Sequence, residues 1–287
     1  MKLGISSYSL QAAISSKKMT ILDVVQWVAD LGAAHIEIVP IGFNLLEDPK
    51  LADAIRQKAE ETGIEISNYA IGANFLTATT EEFEQEIERV KQEVDIANRL
   101  GVKRMRHDVA WKSPNEISIK DFESDLPKMA EACARIADYA SQYGIVTSVE
   151  NHGYYVQASD RVQRLINTVN KDNFKTTLDT GNFLCVDEDP VAAVKNNIGY
   201  ASMVHVKDFY KRTSKPGLGE GWFPTSNGNY LRGAITGHGD INLPEVIKTI
   251  KQSGYDGYLS IEFEGMEDCY KAAKISYDNV RAIWETV

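Results

Sequence analysis

Short apolar runs alternate eight times with longer amphipathic segments along the chain, and no other feature constrains the fold as tightly. The strand-like runs are KLGIS (2–6), HIEIV (35–39), IEISNY (64–69), VKRMRH (102–107), IVTSVE (145–150), FKTTLD (174–179), MVHVK (203–207) and YLSIE (258–262). Glycine, aspartate or a polar turn bounds each of them, as is usual for strands. Between them apolar residues recur at three- and four-residue spacing, the period of a helix with one buried face. TILDVVQWVADLG opens at Thr20 and stops at Gly32, while DPKLADAIRQKAEETG has Pro49 in its first turn and Gly63 just past its end. TTEEFEQEIERVKQEVDIANRLG places its acids early and ends at Gly101, and a last helical segment covers roughly 267–285. Polar caps in front and glycine behind are ordinary helix punctuation.

Strand–helix alternation without a break in composition predicts a parallel α/β architecture. Eight strands is the number that closes into a (β/α)8 TIM barrel, and that fold is favoured over a doubly wound open sheet. Residues 1–287 are expected to form one such domain; 43% hydrophobic content is ample for its core. Residues 209–240 break the rhythm, being long, rich in glycine and without period, and are expected to form a lid loop. Trp222, Phe223 and Tyr230 suit a covering segment better than a bare linker. The GLGEG within it lacks the strand–turn–helix setting of a phosphate cradle.

A formal net charge of -10 argues against a general nucleic-acid binder. The three cysteines, Cys133, Cys185 and Cys269, form no CxxC pair, so neither a disulfide framework nor a zinc ribbon is indicated. MKLGISSYSL carries no apolar signal core and no run is long enough to span a bilayer. The expectation is a soluble, cytoplasmic protein without a membrane partner.

In a barrel the active site gathers at the C-terminal ends of the strands. There stand Glu150, Asp179, His205 and Glu262, one at or near the end of each of the last four runs. Singly, each has an ordinary explanation. Asp179 in LDTGNF could cap a helix, and His205 could be a hydrogen-bonded core histidine. Together they are harder to dismiss, because burying three acids in one cavity is costly unless a cation is present. Three carboxylates and one imidazole make an oxygen-rich shell. It favours Mn2+, with Mg2+ and Co2+ close behind and Zn2+ or iron still compatible, and it leaves positions for substrate oxygens.

With these residues in place the sequence resembles the xylose isomerase-like barrels, which include sugar phosphate isomerases and epimerases. The resemblance covers essentially the whole chain from GISSYSL onwards. Its carriers are SVENHG, TLDTGNF, VHVKDF and GHGDINLPEVIKTIKQSGYDGYLSIEFEG. In the ketose 3-epimerases of that family the matching Glu, Asp, His and Glu bind a divalent metal, which implies that role for Glu150, Asp179, His205 and Glu262. The resemblance also implies Glu150 and Glu262 as the catalytic acid and base. The residues themselves agree: a divalent ion holding a carbonyl and an adjacent hydroxyl would ease formation of an enediolate. Glu150 and Glu262, well apart on the rim, could flank a small sugar, one taking the proton and the other returning it.

Five further residues are candidates for binding substrate. His107 ends the fourth run; alternation lets only one of Arg106 and His107 face the barrel centre, and His107 is favoured. It could also serve as an additional base. Trp111 could pack an apolar ring face. His152, Asn182 and Lys207, like Glu264, adjoin the ligands and could touch substrate or support the ligands by hydrogen bonds. His238 is assigned to the turn before the seventh helix, with Asp240 as that helix's cap.

Ketohexose 3-epimerases of the family typically carry a His three residues after the metal-binding Asp, where this chain has Asn182. They also carry an Arg six residues after the metal-binding His, where this chain has Lys211. Both differences count against an unmodified ketohexose as substrate. Related barrels isomerise aldoses, dehydrate keto-inositols or cleave 3-keto-glycosides. The leading expectation is therefore a divalent-metal-dependent isomerase or epimerase of a sugar or sugar derivative. The alternative is a lyase or dehydratase using the same metal site. A non-catalytic sugar-binding barrel ranks lower, as does an endonuclease IV-like hydrolase, which five histidines and strong acidity disfavour. Apolar helix faces could support a homo-oligomer, but no residue pattern locates an interface.

Overall fold

The computed structural model describes residues 1–214, 217 and 219–287. In chain order the strands are β1 (Lys2–Ser6), β2 (His35–Ile38), β3 (Glu65–Ile71), β4 (Arg104–His107), β5 (Val146–Glu150), β6 (Phe174–Asp179), β7 (Ala201–Val206), β8 (Asp208–Arg212), β9 (Phe223–Pro224), β10 (Tyr230–Ala234) and β11 (Tyr258–Ile261). Eight of them close a barrel in the order β1-β11-β7-β6-β5-β4-β3-β2. All its neighbouring strands run parallel. The expected eight runs map one to one onto these strands. Boundaries move by one or two residues: the fourth run shortens to Arg104–His107, and the seventh starts at Ala201 and leaves Lys207 just beyond its end.

Helices form the outer layer, and their ends follow the sequence punctuation. Thr20 caps Ile21–Asp30 by accepting from the Asp23 N–H at 3.2 Å, while the Asp23 carboxylate accepts from the Thr20 N–H at 2.8 Å. Thr79 and Glu82 repeat this arrangement at the start of Thr80–Leu100. Each such box satisfies two otherwise orphaned N–H groups, an effect on the order of 1 kcal/mol. Val24, Val25 and Val28 of the first helix and Ile87, Val90 and Val94 of the later one are fully buried. Each contributes roughly 1.5–3 kcal/mol by leaving water, and that burial holds the helices against the barrel. The short helices Ser7–Leu10 and Gln11–Ser15 have too few residues to show a period.

The segment expected as an aperiodic lid is different. Apart from Lys215, Pro216 and Leu218, which lie outside the described residues and include part of GLGEG, it contains a three-stranded antiparallel sheet ordered β8-β10-β9. Strands of two to five residues separated by glycines are too short to announce themselves by alternation. Phe209 and Leu231 are fully buried, and Phe209 meets Phe223 edge to face at 5.7 Å. Four hydrogen bonds tie the sheet and its β9–β10 turn to the barrel mouth: Tyr154 Oη to the Pro224 carbonyl, Ser226 N to the Cys185 carbonyl, Asn227 N to Asp187 Oδ2, and Asn229 Nδ2 to Asp187 Oδ1. The returning chain is pinned by Asp208, whose carboxylate accepts from the N–H groups of Phe209, Gly237, Gly239 and Ile241 at 2.9–3.3 Å. A methyl group at Gly239 would overlap that carboxylate. Asn242, not Asp240, caps the helix Leu243–Gln252; Asp240 instead accepts from the Lys211 N–H and from Arg212.

Cys133, Cys185 and Cys269 are buried free thiols. Among the described residues no helix is long and apolar enough to cross a membrane.

Candidate active site

Strand register decides which side chains meet. Asp179 on β6 stands beside His205 on β7, and His205 beside Ser260 on β11, two residues before Glu262. Glu150 is the last residue of β5, and all four members of the set are buried. Each offers one nitrogen or oxygen, and these atoms lie within 4.8 Å of one another.

The local chain explains how each group is held. Asn151 exchanges two hydrogen bonds with the backbone of Asp179, donating Nδ2–H to its carbonyl at 2.9 Å and accepting from its N–H at 2.8 Å. A side chain thus prolongs the β5–β6 ladder past the end of β5 and fixes Asp179. The Asp179 carboxylate has divided duties. Its Oδ1 accepts from the N–H groups of Gly181 and Asn182 at 2.7 and 2.8 Å, as the capping reading expects. Its Oδ2 is buried with no hydrogen-bond partner.

His205 Nδ1 is likewise buried without a hydrogen bond. It lies 3.5 Å from Glu150 Oε2, 3.6 Å from Glu262 Oε1 and 3.9 Å from Asp179 Oδ2. Donors gathered on one divalent ion, each about 2.0–2.3 Å from it, stand about 3–4 Å apart. His205 Nδ1, without a hydrogen bond, and Asp179 Oδ2, whose near partner is the Lys207 ammonium at 3.2 Å, face the same gap with oxygen donors around it, an arrangement that fits a divalent cation.

Two side-chain cations share the cluster, so a metal is not the sole source of neutralisation expected from the acids alone. Arg106 grips Glu150 Oε2 through Nη2 at 2.6 Å and Nε at 2.7 Å, and donates from Nη1 to the Ile71 carbonyl. Lys207 Nζ lies 2.6 Å from Glu262, 3.2 Å from both Asp179 and Glu264, and 3.3 Å from Asn182 Oδ1. The carboxyls are driven apart in acidity. Burial raises Glu150, but Arg106 and His205 outweigh it and hold the group well below the usual carboxylate range. Burial pushes Asp179 up to about 7, helped by Glu150 and Glu262 and opposed by Lys207 and His205. Burial works against protonation of Lys207, yet the surrounding Asp179, Glu262, Glu264 and Glu150 raise it well above an ordinary lysine.

The other predicted residues divide. His107 is corrected: it points away from the barrel axis. In the β4–β5 register Arg106 pairs with Ser148, which shares a face with Glu150, whereas His107 pairs with Val149. The His107 ring is fully buried against Phe75 and Phe174, with Nδ1 2.9 Å from the Asp108 carbonyl. Burial lowers its pKa to about 4. Arg106, set aside in its favour, faces the cluster.

Asn182 and Lys207 lie within the cluster, where Asn182 Nδ2 donates to Glu150 Oε1 at 2.9 Å. His152 stands on the rim with Nδ1 3.2 Å from Asp108 Oδ1; burial lowers its pKa, but Asp108 and Glu150 raise it more. Trp111 is 60% exposed and lies over Gly153. Gly153 has φ +76°, and an added methyl there would press on the Ala110 carbonyl and the Trp111 ring.

Sequence reasoning missed Glu37 of β2, which is fully buried and lies 2.9 Å from His205 Nε2. It also missed Asn68 of β3, whose Nδ2 donates to Glu37 Oε1 at 2.7 Å. The signal was a charged residue in the apolar run HIEIV, with nothing in the run to say which face it took.

The family model for the xylose isomerase-like TIM barrel matches residues 25–283. An inosose dehydratase of Clostridium perfringens (strain 13 / Type A) is 21% identical over 231 residues, covering 75% of either chain. Among solved structures, the probable 3-DHS dehydratase AsbF from Bacillus anthracis superposes with a TM-score of 0.75 at 17% identity, covering 98% of this chain and 99% of that one. A D-psicose 3-epimerase superposes with a TM-score of 0.73 at 17% identity over 99% of both chains. Eight parallel strands closed into a barrel, together with a family match over most of the sequence, lead to one conclusion: the chain belongs to the xylose isomerase-like TIM barrel family.

Proposed function

We propose that the protein is a divalent-metal-dependent enzyme that removes a proton from the carbon beside a carbonyl of a keto-cyclitol or keto-sugar, and that the reaction ends in loss of water. Glu150, Asp179, His205 and Glu262 would hold the metal. When bound, it supplies Lewis acidity that stabilises the negative charge developing as the proton leaves.

One observation carries the choice of outcome: the two glutamates are not equivalent. Epimerisation calls for two similar groups on opposite faces of the carbon, one to take the proton and one to return it. Here Glu150 is locked to Arg106, while Glu262 faces the Lys207 ammonium at 2.6 Å. That asymmetry suits elimination, which needs a base and a separate proton donor. Glu262 takes the proton from carbon, the C–O bond on the adjacent carbon breaks, and the departing hydroxyl leaves as water with a proton from Lys207. Asn182 and His152 are assigned to the substrate's remaining hydroxyls, and Trp111 to a ring face at the mouth. The similarity to an inosose dehydratase supports this reading.

Epimerisation or isomerisation is the second reading. Glu150 and Glu262 are both on the rim, and the fold is shared with a D-psicose 3-epimerase. Incubating Mn2+-loaded protein with a keto-inositol and a panel of ketoses in D2O separates the two. Loss of water with a new conjugated carbonyl absorbance supports the dehydratase. Deuterium entering an intact carbon skeleton supports the epimerase. Neither change with any substrate, or an equal rate after chelation, would reject both.

A further inference from the structure

Glu37 is a buried carboxylate on β2, a strand that contributes nothing to the ligand set. Its Oε1 lies 2.9 Å from His205 Nε2 and accepts from Asn68 Nδ2 at 2.7 Å, and both Glu37 and His205 are fully buried. Among the described residues no lysine or arginine pairs with it. Such a group is expensive to keep inside a barrel, where an apolar residue would pack without penalty. Its retention calls for a reason beyond packing.

Geometry supplies one. β2 and β7 are not neighbours; β1 and β11 stand between them, so Glu37 and His205 meet across the barrel interior. A carboxylate can only accept, so the imidazole nitrogen facing it carries the hydrogen. In the neutral ring the other nitrogen then holds the free lone pair. That nitrogen is Nδ1, which faces Glu150, Glu262 and Asp179 at 3.5–3.9 Å with no hydrogen bond of its own. Glu37 stands behind the ring and is not one of the four ligand residues. Asn68, aligned with Glu37 in the β2–β3 register, keeps the carboxylate from rotating away.

We infer that Glu37 is the positioning residue of the metal centre, selecting the Nδ1-ligating tautomer of His205 and fixing the plane of its ring. This rests on the metal reading above. A carboxylate behind a ligating histidine also makes the ring a stronger donor, and removing such a partner typically costs about 10–100-fold in metal affinity.

Titration of chelator-stripped full chain with Mn2+ alone, by calorimetry, tests this on wild type, E37Q and E37A, with circular dichroism confirming that each variant is folded. The expected result is one site per wild-type chain, with binding weakened about 10–100-fold in both variants. A wild-type chain that binds no Mn2+ would remove the metal reading and this inference with it. A wild-type chain that binds, beside folded variants with the same affinity, would overturn the inference alone. Nitrogen-15 NMR of the Zn2+-loaded wild type needs no variant. It should show His205 with hydrogen on Nε2 and metal on Nδ1; the reverse assignment overturns the role given to Glu37.

Discussion

Replacing Asp179 by Asn separates the proposed ligand role of that residue from its structural one. The amide oxygen can still accept from the Gly181 and Asn182 N–H groups, which lie 2.7 and 2.8 Å from Oδ1, so the turn after β6 should survive. What disappears is Oδ2, together with one negative charge and its 3.2 Å ion pair with Lys207 Nζ. Removing a mere supporting partner of a metal ligand costs about 10–100-fold in affinity, so losing a ligand should cost at least about 100-fold. At a metal concentration 100 times Kd, binding stabilises the wild type by about 2.7 kcal/mol, and 100-fold weaker binding leaves about 0.4 kcal/mol. For 287 residues each kcal/mol moves Tm by roughly 1.5–2 °C. Scanning calorimetry with and without Mn2+ should therefore show a rise of about 4–5 °C for wild type and about 1 °C or less for D179N.

The metal-free melts give an internal control for the same substitution. The folded protein raises Asp179 from its ordinary 3.8 to about 7. Its contribution to stability is therefore full below the unfolded value and is lost as pH rises through about 7. Metal-free wild type should lose Tm progressively between about pH 4 and 7, and D179N should lose less. An equal Mn2+ response in the two proteins would refute the assignment of Asp179 as a ligand.

Replacing Lys207 by Met should lower turnover in the D2O assay by about 100-fold or more, the size expected for a lost proton donor, while leaving Mn2+ binding no weaker, because it removes positive charge 3.2 Å from an Asp179 oxygen proposed as a ligand. Tenfold weaker binding would contradict this and make Lys207 part of the metal scaffold. His35 and His107 are both buried, and burial lowers each from 6.5 to about 4. Their contribution to stability is full above 6.5 and is lost as pH falls towards 4, roughly 3 kcal/mol for each. Proton NMR should find both rings neutral at pH 5, and either ring titrating near 6.5 would overturn its placement.

The barrel was legible because its signals are repeated and long. Eight apolar runs and capped helices such as Thr20–Asp23 and Thr79–Glu82 agree at every level, from local hydrogen bonds to buried faces. The convergence of Glu150, Asp179, His205 and Glu262 was legible because the C-terminal ends of barrel strands meet at one rim, so the last inward residue of each run is informative. Parity failed at β4. The run was rightly ended at His107, but Arg106 faces inward, a fact set by pairing with β5 rather than by β4's own sequence. Glu37 was invisible for a related reason, since its partner lies 168 residues away across the barrel. The β8-β10-β9 sheet escaped because strands of two to five residues carry too little period.

The most direct measurement is a crystal of the full chain soaked in Mn2+ and measured at a wavelength where manganese scatters anomalously. The account predicts one strong anomalous peak within bonding distance of Glu150, Asp179, His205 Nδ1 and Glu262, with the Lys207 ammonium moved aside or turned towards Glu264. A map with no peak there, and Lys207 still bridging Asp179 and Glu262, would contradict it.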